Sequence, residues 1–156
     1  MSHELLVVLL PSSVSNEDIE KAVNALVRPH SDLDDADRPD SRCDGWVIGG
    51  RFDGSVYGRP LEYGLSVEEF QARYGFDYEK VEQGSNVRPV CQIEEAFWIE
   101  TNAFLTPNGI WTSCFDPQFK DLAFENPTNG PKWKHFLSTM VASHQDSLAV
   151  VVDVHM

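Results

Sequence analysis

The sequence predicts an α+β fold: a ferredoxin-like βαββαβ sandwich in which an antiparallel sheet carries two helices on one face. Two observations favour this fold: an apolar strand pattern lies at each end of the chain, and a helix pattern adjoins each of them. Because 156 residues with 42% hydrophobic content can bury one core, we expect a single domain over 1–156. This domain includes an acidic loop at 30–44. It also includes an insertion at about 59–95, which lies between the second and third core strands.

The first predicted strand is Leu5–Leu10, a continuous apolar run that Pro11 closes. Such a run is typical of a strand in the middle of a sheet. A helix is then predicted to begin near Asn16, with Ser15 as its N-cap, because apolar residues recur at helical spacing. Pro29 ends this helix.

The acidic loop, residues 30–44, contains many turn formers and few apolar residues, which indicates a flexible, solvated segment. Its carboxylates suggest calcium, but the EF-hand pattern fails. Counted from Asp32, Ala36 occupies the third ligand position and Asp37 stands where glycine is required. Calcium binding and mimicry of nucleic acid are the two alternatives that the sequence leaves open for this loop.

The second predicted strand centres on Trp46–Ile48, whose side chains favour β-structure. The pair Asp53–Gly54 predicts a turn that returns the chain as a hairpin through Ser55–Tyr57.

The insertion is predicted to hold one short helix. Ser66 and Glu69 form a capping box, and Leu65 with Phe70 forms a hydrophobic staple. Gly75 stops the helix. The remainder of the insertion is polar and lacks periodicity, so we predict a surface excursion.

The last third of the chain predicts a hairpin, a helix and a terminal strand. Residues 97–105 have strand character, Pro107–Gly109 makes a turn, and residues 110–115 return antiparallel. Pro131 suits the first turn of an amphipathic helix, and residues 148–155 form the last strand.

Composition argues against several classes of protein. A formal net charge of -13 disfavours binding to nucleic acid or to an anionic membrane. Cys43, Cys91 and Cys114 show no C-x-x-C spacing, which indicates reduced thiols rather than a disulfide framework or zinc site. The first apolar run lacks a basic flank and is far shorter than the roughly 20 residues of a membrane span. We therefore expect a cytoplasmic protein.

The first and last strands of the predicted fold are antiparallel neighbours, which brings His3 close to His155. Asp153 shares a sheet face with His155, because side chains alternate along a strand. Two imidazoles and a carboxylate could hold a divalent metal, although frayed termini that face water are the alternative. We predict no cofactor and no metal, and these three residues are the candidate ligands if a metal is bound.

The segment CDGWVIGGRFDG, residues 43–54, permits two interpretations. Gly49 and Gly50 could bring backbone amides close to a phosphate that Arg51 also contacts, but neither a P-loop nor a dinucleotide fingerprint is present. We favour a structural role, in which the glycines permit a bulge or the close packing of a ring while Arg51 pairs with a carboxylate. The candidate rings are Trp46, Phe52 and Trp111.

Three segments, CDGWVIGGRFDG, AFLTPNGIW and the closing VVDVH, together resemble a group of small uncharacterised bacterial and phage proteins. That group carries W-D-W-Y-x-x-G-G-R-W, A-x-x-T-P-D-G-x-W and a terminal V-V-D-x-H. Cys43 and Gly45 stand where the pattern has Trp, and Asn108 where it has Asp, which implies a thinner aromatic cluster here. The resemblance implies a shared fold and a shared surface, and it names no reaction. The residues to which it points are Asp44, Trp46, Gly49, Gly50, Arg51, Thr106, Pro107, Gly109, Trp111, Asp153 and His155.

No complete catalytic motif is present: the cysteines match no nucleophile signature, and neither G-x-S-x-G nor H-E-x-x-H occurs. We therefore expect a non-enzymatic interaction or accessory factor, phage-related, that binds another protein. The alternative is a small-molecule or metal-binding protein, or an enzyme, that uses Arg51, Asp153 and His155. The predicted ligand or partner surface is Asp44, Trp46, Gly49, Gly50, Arg51, Trp111, Asp153 and His155.

Overall fold

The computed structural model describes residues 3–32, 40–61, 66–74 and 83–155, and these form a mixed α+β fold with a six-stranded open sheet. The predicted α+β class is therefore confirmed. None of the helices in these ranges has the length and apolar character needed to cross a membrane. In chain order the elements are β1 (His3–Pro11), α1 (Ile19–Val27), β2 (Gly45–Ile48), α2 (Val67–Tyr74), β3 (Val87–Pro89), α3 (Glu95–Trp98), β4 (Ala103–Leu105), β5 (Trp111–Ser113), α4 (Pro131–Ser143) and β6 (Ser147–His155).

The two nine-residue strands β1 and β6 form the centre of the sheet. They pair antiparallel along their whole length, from His3 opposite His155 to Pro11 opposite Ser147. On the far side of β1 lies β4, followed by β5. On the far side of β6, β2 and β3 pair with different parts of that strand. The expectation that the first and last strands are antiparallel neighbours is confirmed.

The predicted ferredoxin-like strand order is wrong, because the observed order is β2-β6-β1-β4-β5, with β3 also paired to β6. It requires an antiparallel sheet, but β4 runs parallel to β1, with Leu6 opposite Ala103. Parallel neighbours need a long crossover connection. Here α1 and the segments that follow it supply that connection before the chain returns beside β1.

The helices cover both faces of the sheet, not one face as predicted. Leu5, Val7 and Leu9 pack in one core cluster with Trp133 of α4, on what we call the α4 face. Leu6, Val8 and Leu10 pack in a second cluster with Ile19, Val23 and Val27 of α1, on the α1 face. Every residue of Leu5–Leu10 is buried, because each side of the strand contacts its own core.

The predicted hairpin after β2 is replaced by two short 3-10 turns, Gly50–Phe52 and Ser55–Tyr57. Gly49, with φ +84°, precedes the first turn, and Gly54, with φ +74°, precedes the second. A positive φ at both glycines turns the chain out of the strand direction, so the segment after β2 does not pair back onto it.

The insertion contains a strand that the sequence did not predict. β3 pairs antiparallel with β6, with Val87 opposite Val150, and the neighbouring Asn86 and Val90 are almost fully buried. The surface-excursion prediction is therefore wrong for this part. The expected helix is present as α2, with the Glu69 N–H donating to Ser66 Oγ at 3.1 Å. The staple residue Leu65 and the stop signal Gly75 lie outside the described residues.

The last third of the chain follows most of its prediction. The β4–β5 hairpin closes with the Thr106 N–H bonded to the Ile110 carbonyl at 3.0 Å, and Pro131 begins α4. Of residues 97–105, Phe97 and Trp98 end α3, residues 99–102 form a turn and a short connection, and Ala103–Leu105 form β4. The predicted strand is therefore wrong for residues 97–102 and confirmed for 103–105.

Candidate metal-binding site

His3, Asp153 and His155 meet at one end of the central strand pair, and we call them the His–Asp–His cluster. The β1–β6 register places His3 opposite His155, and Asp153 lies two residues earlier on β6. Val151, a further two residues back, belongs to the core of the α4 face. Because alternate residues of a strand share a face, the cluster lies at the end of the α4 face.

The potential ligand atoms of the cluster all lie within 4.8 Å of one another. Asp153 Oδ1 is 2.8 Å from His3 Nδ1 and 3.8 Å from His155 Nε2. In a tetrahedral zinc site with bonds of about 2.1 Å, two ligand atoms are about 3.4 Å apart. Shifts of the side chains of about an ångström would therefore let one ion bind all three.

Asp153 is fully buried, and its two carboxylate oxygens have different partners. Oδ2 accepts a hydrogen bond from the backbone N–H of Arg51 at 2.9 Å, while Oδ1 lies toward the two imidazoles. A buried carboxylate requires such compensation. The backbone bond also orients the carboxylate, which is the role that outer hydrogen bonds play for metal ligands.

The Gly49–Gly50 pair brings the turn after β2 into direct contact with Asp153. At Gly50, φ is +53°, and an added Cβ would lie 2.4 Å from Asp153 Oδ2 and 2.5 Å from Asp153 Cβ. At Gly49, φ is +84°, and a Cβ would lie 2.6 Å from Asn86 Nδ2. The glycines therefore permit close packing, as expected, but against polar side chains and not against an aromatic ring.

Asn86 supports the Gly49–Gly50 turn by hydrogen bonding to Asp53 and Gly54, which follow the turn in the chain. Its side chain is fully buried, donates to Asp53 Oδ1 at 2.7 Å, and accepts from the Gly54 N–H at 3.1 Å. Arg59 donates to the Arg51 carbonyl at 3.0 Å and so holds the other side of the turn. The sequence did not point to Asn86, because its neighbours along the chain are polar and resemble those of a surface residue.

The electrostatics of the cluster favour a neutral His155. Burial is the main cause that lowers the pKa of His155, and the nearby Asp153 carboxylate opposes this effect. The charges of His3 and Arg51 lower this pKa further, whereas that of Asp44 raises it. Neutral imidazole is the form that binds metal ions, so no proton has to leave His155 near neutral pH.

The eight residues of the predicted surface do not form one site. Asp44 lies at the cluster, because its N–H donates to the His155 carbonyl at 2.9 Å, and the Gly49–Arg51 turn contacts Asp153. Trp46 and Trp111 instead pack in the core of the α1 face. The sheet therefore separates the two tryptophans from the cluster.

A second group of titratable residues lies around Glu4, which packs on the α1 side of β1. Burial raises the pKa of Glu4 to about 7; the charge of Arg42 opposes this increase, and that of Asp116 adds to it. Arg42 itself pairs with Asp116 at 2.6 Å. This group is distinct from the His–Asp–His cluster, because Glu4 and His3 alternate across the strand.

A groove of about 400 Å³ lies between α3 and α4 and is lined mainly by apolar side chains, among them Trp98, Ile99, Leu137 and Val141. None of the cluster residues lines this groove. We regard the cluster as the stronger candidate site, because it brings together side chains with metal-ligand chemistry.

A comparison of the chain with known protein families, with curated proteins and with solved structures finds no match. The functional interpretation therefore depends on the geometry of the cluster, and the resemblance of the three sequence segments stays a prediction.

Proposed function

We propose that the protein binds a divalent transition-metal ion through His3, Asp153 and His155. The observation that carries this proposal is the convergence of two imidazoles and one carboxylate, from two paired strands, within 4.8 Å. The sequence offered this as the alternative function. The first expectation, an accessory factor that binds another protein, stays a prediction.

The ligand set favours some metals over others. Imidazole nitrogen suits zinc, copper, iron and nickel, whereas calcium and magnesium prefer sites made wholly of oxygen. Two histidines with one carboxylate are the protein ligands of several zinc and non-haem iron centres. We therefore expect Zn²⁺, Co²⁺ or Fe²⁺ to bind well and Ca²⁺ to bind poorly.

Burial in the cluster decreases from the carboxylate to the imidazoles. Asp153 is fully buried, whereas the side chains of His3 and His155 are 12% and 24% exposed. The partly exposed imidazoles give an ion a route from solvent, and the positive charge of the bound ion compensates the negative charge of the buried carboxylate. A bound ion would replace the proton between His3 and Asp153.

The alternative is a histidine–aspartate hydrogen bond that only stabilises the end of the sheet. Metal titration separates the two, because only a metal site binds one equivalent of ion through both histidines. Untagged protein freed of metal with EDTA is titrated with Zn²⁺ by calorimetry and with Co²⁺ by visible absorption. Wild type is expected to bind one ion per chain.

His155→Ala is expected to weaken binding at least about tenfold, because it removes one of three ligands. His135→Ala is the matched control: it removes an imidazole from the exposed surface of α4 and should bind like wild type. Asp153→Asn tests the carboxylate, and circular dichroism verifies that each variant is folded. Equal affinity of wild type and His155→Ala would refute the proposal.

A further inference from the structure

We propose that the bound metal ion takes a small oxyanion, a carboxylate or a phosphate, as an additional ligand, with Arg51 as the second contact of that anion. This inference rests on the proposed function and adds to it a class of ligand. Three features carry it: the open side of the cluster, the position of Arg51 and the balance of charge.

The His–Asp–His cluster supplies three protein ligands, fewer than a divalent transition metal needs. Zinc sites with three protein ligands keep a fourth position for water or substrate. The cluster is closed on the side of Asp153, which is fully buried, and open on the side of the partly exposed histidines. An external ligand therefore approaches the ion from the side of His3 and His155.

Arg51 is held at the cluster by its own backbone. Its N–H donates to Asp153 Oδ2 at 2.9 Å, and its carbonyl accepts from Arg59 at 3.0 Å. The side chain of Arg51 is half-buried, and its positive charge is the smallest of the causes that lower the pKa of His155. A guanidinium group binds carboxylates and phosphates through two parallel hydrogen bonds, which makes arginine well suited to a bound oxyanion.

The charges near the cluster indicate the sign of the missing ligand. Asp153 and Asp44 contribute negative charge, and Arg51 contributes one positive charge, with Asp44 anchored through its N–H to the His155 carbonyl. An imidazole that ligates a metal ion is neutral, so the charged groups that count in the loaded site are Asp153, Asp44 and Arg51, which together carry one negative charge. A divalent ion reverses this to one excess positive charge. A monovalent anion then neutralises the loaded site.

The test uses the Co²⁺-loaded protein, because the visible absorption of Co²⁺ responds to each new ligand. Metal-free protein in a non-coordinating buffer is first saturated with Co²⁺, and inorganic phosphate or acetate is then added in separate titrations. For wild type we expect a saturable spectral change with at least one anion. The two titrations distinguish phosphate from carboxylate as the preferred ligand.

Arg51→Gln is expected to weaken the affinity for the preferred anion at least about tenfold, because it removes the second contact. Lys21→Gln is the matched control: it removes one positive charge from an exposed position on α1, which covers the opposite face of the sheet, and should behave like wild type. The Co²⁺ affinity of each variant is measured first.

The outcomes separate this inference from the proposed function. If no Co²⁺ absorption develops before any anion is added, the metal site itself is absent and both proposals fail. If Co²⁺ binds but neither anion changes the spectrum, only the oxyanion inference fails. Equal anion affinity of wild type and Arg51→Gln would also overturn it, because Arg51 would then serve only to pair with carboxylates of the chain.

Discussion

Gly50→Ala is expected to lower the free energy of unfolding by about 3 to 5 kcal/mol. Alanine in left-handed backbone costs about 1 to 2 kcal/mol, and Gly50 has φ +53°. The added Cβ would also lie 2.4 Å from Asp153 Oδ2 and 2.5 Å from Asp153 Cβ. Asp153 cannot move aside easily, because β6 is paired there with both β1 and β2.

Relief of this overlap would separate Asp153 from the Arg51 N–H, and loss of a hydrogen bond to a charged group costs about 1.5 to 3 kcal/mol. Gly109→Ala is the matched control. Gly109 has φ +85° in the β4–β5 turn, but its Cβ would meet no atom within 4 Å. The control therefore measures the backbone cost alone, and the difference between the variants measures the contact with Asp153.

The assay is urea unfolding followed by tryptophan fluorescence, with EDTA present so that bound metal does not add to the stability of the native state. Linear extrapolation gives the free energy of unfolding of each variant. Gly50→Ala is expected to be less stable than Gly109→Ala by about 2 kcal/mol or more. A difference below about 0.5 kcal/mol would refute the close approach of the turn to Asp153.

Three further predictions concern buried polar groups and thiols. Asn86→Ala should lower the free energy of unfolding by about 1 to 3 kcal/mol in the same urea assay, because it removes the hydrogen bonds of this fully buried side chain with Asp53 Oδ1 and the Gly54 N–H; unchanged stability would contradict this role. One thiol per native chain should react with Ellman's reagent, and three should react in urea, because Cys91 is exposed. Burial raises the pKa of both Cys43 and Cys114 to about 12, and reaction of either in the native protein would disprove their protection. Glu4 should make stability fall as pH rises from about 4.5 to 7, because the folded state holds its proton more tightly than the unfolded state. Urea unfolding at several pH values should show a smaller decrease for Glu4→Gln than for wild type, and equal slopes would argue against this protonation.

Local patterns predicted the elements that depend on local chemistry. The apolar runs of β1 and β6, the spacing of apolar residues in α1 and α4, and the turn at Pro107–Gly109 all correspond to observed structure. The pairing of β1 with β6 was also predictable, and with it the meeting of His3 and His155. These features need only the period of side chains along an element and the known preferences of turn residues.

The positions of the less regular segments were not predictable in the same way. β3 has only three residues, and its polar surroundings resemble a loop until β6 pairs with it. The glycine pair after β2 was compatible with a phosphate contact, a bulge or a ring. Its real partners are Asp153 and Asn86, which are distant in sequence, so no local pattern could identify them.

The sequence by itself determined the α+β class, the main strands and helices, and the chemistry of the two histidines and the aspartate at the chain ends. Only the tertiary structure decided that the helices cover opposite faces, that β4 runs parallel to β1, and that Trp46 and Trp111 are separated from the cluster by the sheet. The physical reason is that secondary structure follows from neighbours along the chain. Strand order and the choice of face depend instead on which distant apolar surfaces bury each other, and that free energy belongs to the whole core.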